Sequence, residues 1–501
     1  MLETASLFTD GAVLCRDREI CIFGRADSGK TVKVILRDSR GNVLAEESCT
    51  ARDGKFETGL PPQKAQTGCT LVTVSGGDRI AAEDVAVGDV YLAGGQSNME
   101  LELRNSLGGT EQVRDDPLLR FFNVPKAARV CDEQQAAVRN ARWKRVDRNT
   151  AGYNSAVASI FGQILRERHP EIPVGIIGCY WGGTSVTCWM DRETLESLSE
   201  GVRYIREYGK LCAGKTMEQY LAEEKAFDRY SEDWNGRADT YRQAHPGAEW
   251  SEIETALGKY IWNPPAGPGS PFRPAGLAES MLAEIAPATL TAVLFYQGEE
   301  DTWRTDRYGE LLTAMIGYWR RIFRNPSLPF MFVQLPMWLD SGAQDTFTWP
   351  KTRLAQAGVR DSVRNTGMVC LLDEGEYGNI HPVNKQPVGS RLAELAEKML
   401  YGGTGRESPR AVGKWTRGNT LTVVLDQNVR TKDGEAPNLL EIAGEDGVFV
   451  PAEGEVSEGV IRIKSARVEH PVRVRYAWTD WSDRVNLFGE NGLPLEPFDL
   501  Q

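Results

Sequence analysis

A serine framed by glycines and small polar residues, Gly94-Gly95-Gln96-Ser97-Asn98-Met99-Glu100, follows the run Asp89-Val90-Tyr91-Leu92-Ala93. That run reads as a short buried strand, which puts Ser97 on a tight turn at the strand's carboxyl end. Small neighbours let a substrate reach the hydroxyl, and nearby backbone N–H groups can hold an oxyanion. The chemistry on offer is nucleophilic attack on an acyl carbonyl. Such a serine needs a base, and the chain has four histidines: His169, His245, His381 and His470. His169 ends a charged stretch before Pro170, His245 lies in a polar segment and His470 near a turn; all three sit in ordinary surroundings. His381 stands in Gly378-Asn379-Ile380-His381-Pro382, after an apolar run and before a helical pattern, which assigns it to the same strand-carboxyl edge as Ser97. An imidazole titrating near neutral pH suits a serine nucleophile, and nucleophile early with base late is an order found in α/β hydrolases.

Two more polar loops follow apolar runs. Trp181-Gly182-Gly183-Thr184-Ser185 comes after Val174-Gly175-Ile176-Ile177-Gly178, and Gln297-Gly298-Glu299-Glu300-Asp301 after Ala292-Val293-Leu294-Phe295-Tyr296. The Ser97 and Gly183 backbone amides and the Gln297 side-chain amide can supply three oxyanion donors. A glycine pair alone is weak evidence, because turns need glycine anyway. Four polar loops at the ends of four buried strands are stronger.

Those loops need a scaffold. Phe330–Leu335 and Met368–Leu372 read as further buried strands, and helical patterns run from near Asn154 to Arg168, from Tyr308 to Phe323 and from Gln386 to Leu400. Strand–helix alternation implies a parallel sheet with helices on both faces and ligands at the strands' carboxyl ends. Before it, residues 1–86 alternate in the manner of a small β-sandwich, with Val32–Leu36 as a strand and Ser75-Gly76-Gly77-Asp78 as a turn. After it, residues 403–501 return to β patterning, clearest in Thr420–Leu425 and Val472–Trp478. The expected organisation is therefore an N-terminal sandwich (1–86), an α/β domain (87–402) and a C-terminal sandwich (403–501). Inside the middle domain, 191–262 is charged and helical and reads as an insertion: a lid or substrate wall beside the site, or a peripheral addition. Asn263-Pro264-Pro265-Ala266-Gly267 ends it in a loop.

Composition narrows the class. The 501 residues are 41% hydrophobic and 26% charged, as in an ordinary globular protein, and the net charge of −12 argues against nucleic acid or an anionic membrane as partner. No apolar run is long enough to span a bilayer. The start, Met1-Leu2-Glu3-Thr4, has no basic or apolar leader, so a cytoplasmic location is expected, or a secreted or periplasmic one if a signal was removed. Nine cysteines, none in a Cys-x-x-Cys pair, read as reduced buried thiols. Cys179 and Cys188 lie close enough to the second loop for a catalytic thiol to be considered.

Gly94–Glu100, Trp181-Gly182-Gly183-Thr184, Tyr296-Gln297-Gly298-Glu299 and Ile380-His381-Pro382 together resemble the sialate O-acetylesterase family of SGNH hydrolases. The resemblance extends to Leu7–Leu14, to Leu328-Pro329-Phe330 with Val333-Gln334-Leu335-Pro336, to Asn384-Lys385-Gln386, and to Val474–Trp478 with Asn486-Leu487-Phe488 and Gly492-Leu493-Pro494. Only about 191–262 falls outside it. It implies an α/β fold, a flavodoxin-like SGNH domain with flanking sandwiches, that removes acetyl esters from carbohydrates without metal or organic cofactor. Carried over by motif, Ser97 is the nucleophile and His381 the base, with the Ser97 and Gly183 amides and Gln297 as the oxyanion hole. Gln96, Asn98, Trp181, Glu299 and Arg273 are the expected substrate contacts.

The family commonly carries an aspartate two or three residues before the histidine, where this chain has Asn379 and Gly378. Asparagine cannot stabilise an imidazolium as a carboxylate does. Glu376, the preferred acid, or Asp373 then orients His381, or a backbone carbonyl does so and leaves a Ser–His dyad; a weak or lost enzyme is the third option. Sugars stack on aromatic faces, and Trp181, Trp189, Trp303, Trp338 and Trp349 fall near the loops, with core packing expected for two or three of them. Arg273 and Arg304 can meet a sialic-acid carboxylate. The substrate is expected to be acetylated sialic acid, with acetylated hemicellulose as the alternative. The rivals are a carbohydrate-binding protein with a degenerate esterase core and a thiol- or metal-dependent hydrolase. The oligomeric state stays open, a homodimer among the options.

Overall fold

Alternating apolar positions build the start of the chain into paired strands. In Thr31–Arg37, Val32, Val34 and Leu36 point inward, and the strand pairs with Val43–Thr50 and Gln66–Ser75. Leu2–Thr4, Ile20–Ala26 and Lys55–Leu60 form a second, three-stranded sheet. The expected turn at Ser75–Asp78 closes a hairpin in which these two residues face each other. The computed structural model describes residues 1–245, 248, 250–261 and 264–501. Pro246, Gly247, Glu249 and Trp262 of the expected insertion, and Asn263 of the loop expected after it, lie outside the described residues. The chain divides into two units. The first is Met1–Glu232, Trp262–Gln297 and Leu311–Met331; the second is Asp233–Ile261, Gly298–Glu310 and Phe332–Gln501.

In the first unit, Asp78–Gly95 is one strand of 18 residues. Its first half pairs with Gln66–Ser75. Its second half enters a mixed sheet that runs Lys144–Val146, Asp116–Asn123, Val174–Tyr180, Asp78–Gly95, Ala292–Tyr296. Lys144–Val146 is antiparallel and the others are parallel. Unbroken apolar runs suit strands covered on both faces. Gly95 faces Tyr180 on one side and Tyr296 on the other, so three parallel strands end level. The helix Ala156–Arg168 begins two residues later than expected, because Ser155 Oγ caps it by accepting the Ala158 N–H at 3.1 Å. Gly162 lets this helix lie close on the sheet: a Cβ there would meet Leu119 Cδ1 at 2.7 Å. The charged stretch after Asp191 is helical, as Arg192–Glu196, Ser199–Leu211, Met217–Ala244 and Trp250–Leu257, and from Asp233 on it belongs to the second unit.

In the second unit, Trp234 is buried with its ring 5.0 Å from those of both Trp250 and Tyr260. Helix Gln386–Leu400 has the expected bounds, with Pro387 in its first turn. The strand expected at Met368–Leu372 is Thr366–Val369; Cys370, Leu371 and Leu372 continue buried but unladdered. The C-terminal residues form two four-stranded sheets and a two-stranded one. Leu421, Val423, Ile461 and Ile463 of one sheet share a core with Ile442, Val474 and Tyr476 of another, and Met337, Cys370 and Leu372 belong to that same core. The strand expected at Val472–Trp478 is only Arg473–Tyr476, because Ala477 turns the backbone to φ 55°. Arg353 is fully buried and donates to the Thr479 carbonyl. The Asp480 carboxylate accepts the N–H groups of Thr346 and Trp349 at 2.8 and 3.0 Å. Among the described residues no helix is long and apolar enough to cross a membrane.

Candidate active site

The level strand ends of the first unit bring its polar loops into mutual contact. Gln96 N–H donates to the Tyr296 carbonyl at 3.0 Å, and Trp181 N–H to the Gly95 carbonyl at 3.1 Å. Only glycine fits at residue 95: φ is 130°, and a Cβ would lie 2.1 Å from the Tyr296 carbonyl oxygen. The chain then turns into the short helix Ser97–Glu100. Tyr91 through Met99 is buried except Ser97, which keeps an intermediate exposure. Gly182 packs against it, since a Cβ there would sit 3.2 Å from Ser97 Cβ. Gly183 takes φ 70°.

A charged brace holds the Trp181 loop. Glu100 Oε2 accepts the Gly182 N–H at 2.6 Å, its other oxygen pairs with Lys126, and the Lys126 ammonium lies 5.1 Å from the centre of the half-buried Trp181 ring. The Gly94–Glu100 pattern by itself gives Glu100 no role, because the partner that reveals one is 82 residues away. Gln96 and Asn98 are buried, 3% and 1% exposed. The Gln297 amide nitrogen, also buried, donates to Gln96 Oε1 and to the Thr184 carbonyl, both at 3.2 Å. Arg273 is engaged by Glu279 at 2.7 Å. Burial pushes the Cys179 thiol up, the opposite of what a nucleophilic thiolate needs. All nine cysteines are free.

The second unit carries the candidate base. Glu376 Oε2 accepts the Asn379 side-chain amide at 2.6 Å, Glu376 Oε1 accepts the Val383 N–H at 3.0 Å, and Asn379 Oδ1 accepts the His381 N–H at 3.0 Å. Glu376 thus braces the histidine loop by way of Asn379, and Asn379 grips the His381 backbone. Asp373 is held bidentately by Arg391, at 2.8 Å on each oxygen. Burial drives the His381 imidazole down to about 4, and the Lys385 ammonium adds to the shift. Lys385 itself is brought down to about 8 by burial, against the pull of Glu299 and Glu376. Glu299 and Asp301 are buried, and burial, with Asp301 and Glu299 beside it, raises the Glu300 carboxyl to about 8. Trp303 is 60% exposed with Arg304 stacked on it at 3.9 Å, whereas Trp349 is core, 5.2 Å from Trp338. Trp189, in the first unit, is fully buried.

A family model described as a carbohydrate esterase, sialic acid-specific acetylesterase, matches residues 262–396. The chain is 25% identical to a sialate O-acetylesterase of Rattus norvegicus, over 92% of this chain and 86% of the relative. It is 22% identical to that of Homo sapiens, over 95% and 88%. A crystal structure of a carbohydrate acetylesterase from Xanthomonas citri aligns over 100% of both chains with a TM-score of 0.78 and 26% identity. With Ser97 on its glycine turn beside Gly182, these matches identify the chain as a carboxylic ester hydrolase that is similar over most of its length to sialate O-acetylesterases.

Proposed function

We propose that this protein removes O-acetyl groups from carbohydrates, acetylated sialic acid in particular, through an acetyl-enzyme on Ser97. The observation that carries the reading is a single half-exposed serine where three parallel strands end level, framed by Gly95 and Gly182. His381 takes the proton from Ser97 Oγ as the oxygen attacks the acetyl carbonyl. The Ser97 and Gly183 amides hold the oxyanion. The sugar alcohol leaves with the proton from His381, and water, deprotonated by His381, frees acetate from the serine. Gln297 contributes its amide once one of its two hydrogens leaves Gln96 Oε1 or the Thr184 carbonyl. Glu376 and Asn379 fix the loop that carries the base, and Trp181, Glu299 and Arg273 contact the sugar. The parallel strands and their helices form a flavodoxin-like SGNH core.

Acetate release is to be measured from O-acetylated sialosides and acetylated xylan, with p-nitrophenyl acetate as a simple ester. The expected result is turnover of the sialosides, with Ser97→Ala and His381→Ala each down by about 10⁴-fold or more. Turnover of xylan alone moves the substrate to hemicellulose. Wild-type turnover no faster than the Ser97→Ala variant on every ester removes the catalytic reading in favour of a binding protein.

A further inference from the structure

The first unit holds a groove of about 1110 Å³ that the ester chemistry leaves unused. It lies between the sheet of Leu2–Thr4, Ile20–Ala26 and Lys55–Leu60, the helix Asp132–Asn140 and the stretch from Ala283 to Pro287. The whole chain carries a net −12. The groove's lining reverses that balance, with five cations, Arg25, Arg52, Lys55, Arg139 and Arg142, against the three carboxylates of Glu3, Glu57 and Glu284. All five cations are exposed, and none forms a salt bridge among the described residues. Glu57 is already held by Arg324.

The placement of these charges works against folding. Arg25 and Lys55 are register partners on neighbouring antiparallel strands, where like charges directly opposite are destabilising. Arg52 is tied beside them by its N–H to the Lys55 carbonyl at 2.8 Å. Arg139 and Arg142 approach from the helix Asp132–Asn140 and the residues after it. Arg25, Lys55 and Arg139 all act on one half-buried carboxylate, Glu284, whose burial nonetheless raises its pKa. Cations converging on a groove without ion-pair partners call for an anion from outside. The interleaved Glu3 and Glu284 select its kind, because they repel a bare polyphosphate but accept hydroxyl hydrogens. Half-exposed Phe23 and exposed Val130 add an apolar face.

We propose that this groove is an ancillary binding site for acidic oligosaccharides, the cations holding sugar carboxylates and Glu3 and Glu284 accepting sugar hydroxyls. It requires nothing of Ser97, so the two readings fail separately.

The test is calorimetric titration of the full chain with a short polysialic acid free of O-acetyl groups, a neutral dextran of equal length and an oligonucleotide of equal charge. Polysialic acid should bind wild type and Ser97→Ala alike. Two double variants on opposite walls, Arg25→Ala with Lys55→Ala and Arg139→Ala with Arg142→Ala, should each weaken it by about 10-fold or more. Lys55→Arg should keep the affinity, and p-nitrophenyl acetate turnover should not change in any of these groove variants. The proposal is overturned if wild type does not bind polysialic acid, if both double variants bind as wild type does, or if dextran or the oligonucleotide binds as tightly.

Discussion

His381 and Lys385 share one helix-entry loop, and their charges oppose each other. The candidate base is held near 4 by burial first and by the Lys385 ammonium second, so the neutral imidazole, the form a general base needs, persists well below the ordinary histidine range. The acid limb of kcat/KM on p-nitrophenyl acetate is therefore expected near pH 4, and Lys385→Met should move it upward; a limb at 6.5 in wild type would contradict this. Stability follows the same sign. A histidine whose folded pKa is lowered contributes stability that is present above 6.5 and lost as pH falls through 4. The melting temperature should decline across that window, less steeply in His381→Gln. Asn379 gives a sharper test. Restoring the acid with Asn379→Asp sets two carboxylates where the amide now donates to Glu376 at 2.6 Å. We expect a loss of about 1–3 kcal/mol in denaturant unfolding at pH 7, and less at pH 4, where one of the pair takes up a proton.

At the scale of elements, the strand Asp78–Gly95 and its two parallel neighbours do the positioning. Gly95→Ala forces a Cβ to within 2.1 Å of the Tyr296 carbonyl oxygen at φ 130°. It should cost about 1–3 kcal/mol or more and lower kcat on every ester, because the Ser97 turn shifts as a body; unchanged kcat would mean the turn is not set by this contact. Much of this was legible in the chain. The apolar runs 174–178 and 292–296, the loops after them and the helix Gln386–Leu400 follow from local periodicity and from Gly and Pro. What escaped was non-local. The brace from Glu376 through Asn379 to the His381 backbone involves residues close in sequence, but its sense depends on side-chain direction, which no pattern encodes. Lys385 as a neighbour that shifts His381 was hidden in the same way. The facing pair Arg25 and Lys55 depends on a register that alternation alone does not set. The end of Arg473–Tyr476 was missed because Ala477 is not a residue expected at positive φ.

At the scale of the molecule, the C-terminal sheets are not an appendage of the second unit. Their core takes in Met337, Cys370 and Leu372, the Thr479 carbonyl accepts from buried Arg353, and Asp480 fixes the entry to the helix Thr348–Ser362. A chain shortened to residues 1–402 would leave that apolar surface open and Arg353 short of acceptors. It is expected to aggregate, or to bind a hydrophobic dye while the full chain does not; a soluble, active 1–402 would overturn this. The opposite end of the chain poses a different constraint. Asp78–Gly95 runs from the N-terminal hairpin to the threshold of Ser97 as one strand, bulged around Asp84 (φ 55°) but interrupted by no loop. A breeder of chimaeras cannot therefore swap the leading sheets like a cassette: whatever replaces them must supply the same continuous ribbon, or Ser97 loses its anchorage.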